Sequence, residues 1–234
     1  MTTRFDLLIF DWDGTLMDSE ARITNCLRAA IADAGLPARD QRHLRDIIGL
    51  GLTEALQRLF PDTDTVTLDS LTEAYRQHFL YDDPTPSVLF PGAAALIQEL
   101  YARGYQLAVA TGKARRGLDR VLAETGLENY FHVTRCADEA GSKPHPQMLY
   151  DILRQLNVAP AQALMIGDTE YDLAMAANAG VAGVAACYGV HDRERLCAMA
   201  PLACVDSLDE LAHWLANAES PSVTPSPDKR RSSL

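Results

Sequence analysis

An unbroken apolar run that ends on two alternating carboxylates constrains this chain more than anything else in it. Leu7, Leu8, Ile9 and Phe10 have strand length and no polar face, which suits a strand buried on both sides in a parallel sheet. Asp11 stops the run, and Asp13 follows before Gly14 and Thr15. Residues i and i+2 of an extended chain point to the same side, so both carboxylates face one small pocket beyond the strand's carboxyl end. Open α/β sheets put their ligands there. Two carboxylates that close repel each other unless a cation lies between them or one keeps a proton. Both arrangements suit phosphoryl chemistry, in which one Asp ionises and attacks phosphorus while its neighbour carries a proton to the leaving oxygen. A strand followed by a plain acidic turn is the competing reading, since Asp and Gly favour turns on their own account.

Charge sharpens the question. The 234 residues carry a formal net charge of -11, which argues against nonspecific nucleic-acid binding because phosphate backbones need a basic surface. Any phosphate site must therefore build a local positive field from a metal, a lysine and backbone amides. No apolar run approaches the roughly 20 residues of a membrane span. The N-terminal apolar run is too short and too soon acidic for a signal peptide, so a cytoplasmic location is expected. Cys26, Cys136, Cys187, Cys197 and Cys204 are odd in number and lack CxxC spacing, which suggests neither a disulfide framework nor a zinc site. Buried thiols are expected for most of them.

Beyond the first strand, Ile23, Leu27, Ala30, Ile31 and Ala34 recur at helical spacing up to Gly35. Further helical patterns cover 43–48, 53–60 and 68–80, with no strand among them. Such a block between two strands reads as an insertion. A helix after Pro91-Gly92 then leads to a strand over 105–110 that ends in Thr111-Gly112-Lys113, where a hydroxyl and backbone amides can hold phosphate oxygens. Arg115, Arg116 and Arg120 open the next helix, and a solvated face is expected for most of them. A weak strand over 131–135 precedes Ser142-Lys143-Pro144-His145-Pro146, in which the prolines present the lysine from a defined turn and start a helix. Another apolar strand, 163–166, runs into Gly167-Asp168-Thr169-Glu170-Tyr171-Asp172. Helix capping alone accounts for Glu170 and Asp172, and less well for Asp168. A last major strand is expected at 181–186, His191 on the surface, an amphipathic helix over 207–216, and a Pro- and Ser-rich disordered tail.

Asp11-Trp12-Asp13-Gly14-Thr15-Leu16 resembles the first signature of the haloacid dehalogenase-like (HAD) superfamily. Thr111, the KPxP string at Lys143 and the GDxxxD string at Asp168 resemble the second, third and fourth, in family order. The resemblance is closest to phosphoglycolate phosphatase-like members with a helical cap (subfamily I). It implies an α/β fold, a Rossmann-like core with a parallel central sheet flanked by helices, plus an inserted all-helical cap. Residues 1–16 and 87–218 would form the core, 17–86 the cap and 219–234 the tail. It also implies a Mg2+-dependent phosphomonoester hydrolase acting on a small phosphorylated metabolite, 2-phosphoglycolate first among them, through an aspartyl-phosphate. By resemblance Asp11 is the nucleophile and Asp13 the general acid and base. Thr111, Gly112 and Lys143 bind the phosphoryl group. Asp11, Asp168 and the backbone carbonyl of Asp13 hold the metal, with Asp172 in support. Gly49 and Gly51 resemble a cap loop of the phosphoglycolate phosphatases, and a simple helix-to-helix turn accounts for them equally well. Asp13 speaks against dehalogenases and phosphonatases, while a β-phosphoglucomutase-type phosphomutase and a non-catalytic binding protein stay open. Either a monomer or a homodimer is compatible with the resemblance.

Overall fold

Leu7–Phe10 forms β1, and its four side chains are fully buried in the computed structural model, which describes residues 5–219. Alternation divides them between two cores. Leu8 and Phe10 face a cluster with Leu107, Val109, Leu164 and Ile166, while Leu7 and Ile9 face another with Ala108, Ala110 and Met165. A strand with helices on both faces has no polar side to show, which explains the uninterrupted run LLIF.

Its partners are β4 (Gln106–Thr111) on one side and β6 (Ala163–Gly167) on the other, both parallel. With β5 (Val133–Cys136), β7 (Ala182–Ala186) and β8 (Ala203–Val205) they make a six-stranded sheet in the order β5-β4-β1-β6-β7-β8. A two-residue antiparallel ribbon, β2 (Met17–Asp18) on β3 (Val88–Leu89), stands apart from it. The chain steps outward from β1 to β4 and β5, then returns across β1 to start again at β6. That reversal leaves a crevice at the carboxyl ends of β4, β1 and β6.

Between the two halves of the ribbon lie α1 (Glu20–Asp33), α2 (Gln41–Asp46), α3 (Leu52–Leu59) and α4 (Thr65–Gln77), closed by a π-helical turn, His78–Asp82. Asp40 and Asp64 cap α2 and α4, accepting the backbone N–H of His43 and Thr67 at 2.9 and 3.0 Å. Leu27, Leu44, Leu56 and Leu71 give this block an apolar core of its own. Around the sheet stand α5 (Ala93–Ala102), α6 (Arg115–Thr125), α7 (Ala137–Ala140), α8 (Gln147–Leu156), α9 (Glu170–Ala179), α10 (Arg193–Cys197) and α11 (Leu208–Glu219). α5, α6 and α11 cover one face, and α8 and α9 the other. The α/β class and the parallel sheet flanked by helices are those expected.

Three expectations are corrected. A further strand, β8, follows 181–186; its three residues, Ala203, Cys204 and Val205, are apolar but fewer than a strand's usual length. Of the five free cysteines only Cys26 and Cys136 are buried, because Cys197 lies on the short α10 with its side chain outward and Cys187 and Cys204 are half-covered at the sheet's edge. His191 is buried rather than on the surface, because its loop runs beneath the helical block, where Arg45 Nη2 donates to the Val190 carbonyl at 2.7 Å. The expected disordered tail, beyond Glu219, lies outside the described residues. Among those described, no helix is long and apolar enough to cross a membrane.

Candidate active site

β1, β4 and β6 stop at the same level, and each delivers a polar side chain into the crevice: Asp11, Thr111 and Asp168, all buried. The turn before α8 brings Lys143 to meet them, preceding Pro146, which takes the N-cap position of that helix. The Lys143 ammonium lies 2.8 Å from Asp11 Oδ1 and 2.6 Å from Asp172 Oδ1. Neither contact has hydrogen-bond alignment, so both are ion pairs, and neither Asp11 oxygen has a well-aligned donor.

Asp168 is better satisfied. Its Oδ1 accepts from the Thr15 hydroxyl at 2.8 Å and its Oδ2 from the Val190 N–H at 2.9 Å. On Asp172 two roles coexist on separate oxygens. Oδ2 accepts the Thr169 N–H and hydroxyl at 3.0 and 2.7 Å in a capping box, leaving Oδ1 for Lys143.

Asp11, Asp168 and Asp172 can bring an oxygen each within 4.8 Å of one another, against a single lysine. Burial pushes the Asp11 carboxyl up to about 7, Lys143 opposing and Asp172 adding to the effect. Burial, then the charges of Asp11 and Asp172, holds Asp168 well above the usual carboxylate range. Burial also works against the Lys143 ammonium, but Asp11 and Asp172 outweigh it and keep the lysine charged beyond its usual range. Three dry carboxylates with excess negative charge, and no aligned donor on either Asp11 oxygen or on Asp172 Oδ1, suit a hard divalent cation. The Asp13 side chain lies apart from this cluster.

Asp13 is held from its other side. Lys113 Nζ lies 2.9 and 2.8 Å from its two oxygens, and the Ser19 hydroxyl donates to Oδ1 at 2.6 Å. Sequence reasoning gave neither Lys113 nor Ser19 a role. A lysine two residues after a strand-end threonine looks like any surface lysine until its partner, a hundred positions away, is in place.

A cavity of about 610 Å³ opens above Asp11, Asp13, Thr111 and Gly112 and is roofed by the helical block. Lys143, Asp168 and Asp172 lie behind it. On the roof Phe79 stands 4.9 Å from Lys113 Nζ. Arg116 reaches the Tyr81 hydroxyl at 2.9 Å and Arg120 the Leu80 carbonyl at 3.1 Å, while Arg115 pairs with Glu139 at 2.7 Å. These arginines are thus partnered as well as partly solvated.

The loop 49–51 is seated on the sheet's edge rather than being a free turn. Gly49 has φ +98° and lies against Thr169, and the Gly51 N–H donates to the Ser142 hydroxyl at 2.8 Å. A Cβ on Gly112 would fall 2.5 Å from the Leu50 carbonyl oxygen and 2.6 Å from that of Gly49. Both obstacles are backbone, so Gly112→Ala is expected to lift the loop from its seat. The roughly 1–3 kcal/mol that overpacking costs should lower the melting temperature by about 2–10 °C, and the displaced loop should reduce kcat/KM by about ten- to a hundredfold.

His191 sits under the same roof. Its Nδ1 accepts the Glu170 N–H at 3.1 Å, and its ring meets Tyr171 edge-on at 5.3 Å. Burial and the nearby Arg195 charge lower its pKa below the usual histidine value.

Residues 8–186 match the model of the haloacid dehalogenase-like hydrolases. The protein named "Probable phosphatase IndB" of Dickeya dadantii is 34% identical over 227 residues, covering 93% of this chain and 98% of that protein. A phosphoglycolate phosphatase of Rhodospirillum rubrum is 32% identical over 217 residues, covering 89% of this chain and 90% of its own. Among solved structures, a haloacid dehalogenase-like family hydrolase of Streptococcus pneumoniae superposes with a TM-score of 0.77 at 24% identity, covering 92% of this chain and all of that one, a likeness of fold.

Proposed function

The chain belongs to the haloacid dehalogenase-like hydrolases, and from that premise we propose that it hydrolyses small phosphomonoesters through a phosphorylated Asp11. The observation that carries the proposal is the division of labour between two carboxylates two residues apart. Asp11 is buried against Lys143, with poorly satisfied lone pairs. Asp13 lines the open cavity on the side from which a leaving group would depart.

In this reading an Asp11 oxygen attacks phosphorus, and Asp13 gives a proton to the departing alcohol oxygen. Asp13 then takes a proton from the water that cleaves the aspartyl-phosphate. The Thr111 hydroxyl, the Gly112 N–H and the Lys143 ammonium bind the phosphoryl oxygens. Magnesium, held by Asp11 and Asp168 with the Asp13 carbonyl and supported by Asp172, would supply charge neutralisation and electrophilic assistance. Residues 17–86 act as a cap that excludes water from the aspartyl-phosphate, and 1–16 with 87–218 act as the core. Because several relatives are named phosphoglycolate phosphatases, 2-phosphoglycolate is the first substrate to try.

The test is phosphate release from a panel of small phosphomonoesters, with magnesium and with chelator, alongside thermal melts. Magnesium is expected to be required for release. It should also raise the melting temperature, since a ligand at 100 times its Kd stabilises by about 2.7 kcal/mol. Release that persists in chelator, or folded protein inert towards every ester, would remove the proposal.

A further inference from the structure

In the arrangement described Asp13 meets a leaving oxygen already engaged, with three of its roughly four lone-pair sites occupied and a cation across both oxygens. Ser19 holds Oδ1, and Lys113 spans both oxygens at ion-pair distance. The Lys113 side chain is only 7% exposed. Its backbone is pinned too: its N–H donates to the Thr111 hydroxyl at 3.3 Å and its carbonyl accepts from the Ala137 N–H at 3.3 Å. Phe79, from the helical block, lies over the ammonium. This lysine therefore stands where the alcohol portion of a substrate must lie, between Asp13 and the roof.

The other cations that line the cavity belong to its outer wall. Arg76 lies 3.6 Å from Glu73, and Arg116 donates to Tyr81. Lys143 sits across the site, on the nucleophile's side. Acidic groups dominate the rest of the lining, with Glu54, Glu73 and Asp138 beside Asp11 and Asp13. An anionic leaving group entering this cavity meets one cation close to the reacting oxygen, and that cation is Lys113.

Building on the phosphatase reading, we propose that Lys113 is a specificity-determining residue that binds an anionic substituent, a carboxylate or a second phosphate, carried close to the ester oxygen on the substrate's alcohol portion. The exchange is balanced in charge. The ammonium passes from the Asp13 carboxylate to the substrate's anion, and the released Asp13 oxygen takes a proton from water in the cavity, which it then gives to the ester oxygen. A neutral substituent offers no replacement partner, so its substrate must open the Lys113–Asp13 pair uncompensated. Selection and the freeing of Asp13 thus occur in one movement.

The test compares four substrates in the full-length protein with magnesium: 2-phosphoglycolate, its neutral analogue 2-hydroxyethyl phosphate, ethane-1,2-diyl bisphosphate and p-nitrophenyl phosphate. Wild-type protein is expected to prefer one or both anionic substrates over the neutral analogue by about 100-fold in kcat/KM, the worth of a hydrogen bond to a charged group. Which anion is preferred separates a carboxylate from a phosphate. In Lys113→Met the anionic-to-neutral ratio should collapse to within about threefold of unity, chiefly through KM, and Lys113→Arg should restore part of it. General damage to the site leaves that ratio constant, so a variant that slows all substrates equally overturns the proposal. So does wild-type protein that shows no preference while hydrolysing the aryl ester, a result that leaves the phosphatase reading intact. Wild-type protein inert towards all four substrates overturns both.

Discussion

Asp11→Asn is expected to reduce phosphate release by on the order of 10^5-fold, the scale on which removal of a nucleophile acts, and yet to raise the melting temperature of the chelated protein. The two effects share one cause. Asp11 is buried beside Asp168 and Asp172 with a single lysine to answer three carboxylates, an arrangement suited to a cation rather than to stability without one. Between its ordinary value of 3.8 and about 7, the folded protein keeps a proton on Asp11 that the unfolded chain has released. The folded state binds more protons across that window, so stability falls as pH rises through it and stays low above it. Asn is free of this penalty. The gain should be absent near pH 4 and reach roughly 4 kcal/mol, or about 10 °C, above pH 7. Melts across pH in chelator, set beside phosphate release in magnesium, check both halves. Retained turnover would remove Asp11 from the nucleophile's place, and a lower melting temperature at high pH would mean the cluster carries no charge strain.

Lys143→Met should do the opposite to stability while also abolishing turnover. The ammonium is fully buried and touches Asp11 and Asp172 at once, so its removal leaves the carboxylates without their protein counter-charge. Breaking a buried pair from one side costs about 3–5 kcal/mol, which denaturant titration in chelator should register as a lower midpoint with an unchanged slope. Magnesium is expected to recover much of that loss, because it restores positive charge to the same carboxylates. It should not recover activity, since the phosphoryl oxygens still lack the lysine. A midpoint that does not move would show that Lys143 carries no part of the cluster's balance.

Much of this was legible in the sequence, for a local reason. Asp11, Thr111 and Asp168 each stand at the end of an apolar strand, and Lys143 stands before prolines that define its turn. Run, break and polar residue can be read within ten positions. What escaped depends on distant partners. Lys113 has meaning only beside Asp13, and loop 49–51 only once Gly112, Ser142 and Thr169 are beneath it. The burial of His191 likewise depends on a block of helices inserted well over a hundred residues earlier. β8 failed for lack of length, since three apolar residues that pair on one side alone are too few to stand out from a loop.

The central place of β1 also sets a timetable for synthesis. Residues 7–10 leave the ribosome well before the residues they pair with, 106–109 and 163–166. At about 5–20 residues per second, roughly 10–30 s pass before both flanks exist. The helical block, built from contacts near in sequence, can assemble in the meantime. The strand that bears Asp11 is therefore translated before both its neighbours and paired late, and through that interval its four apolar side chains have no sheet to join.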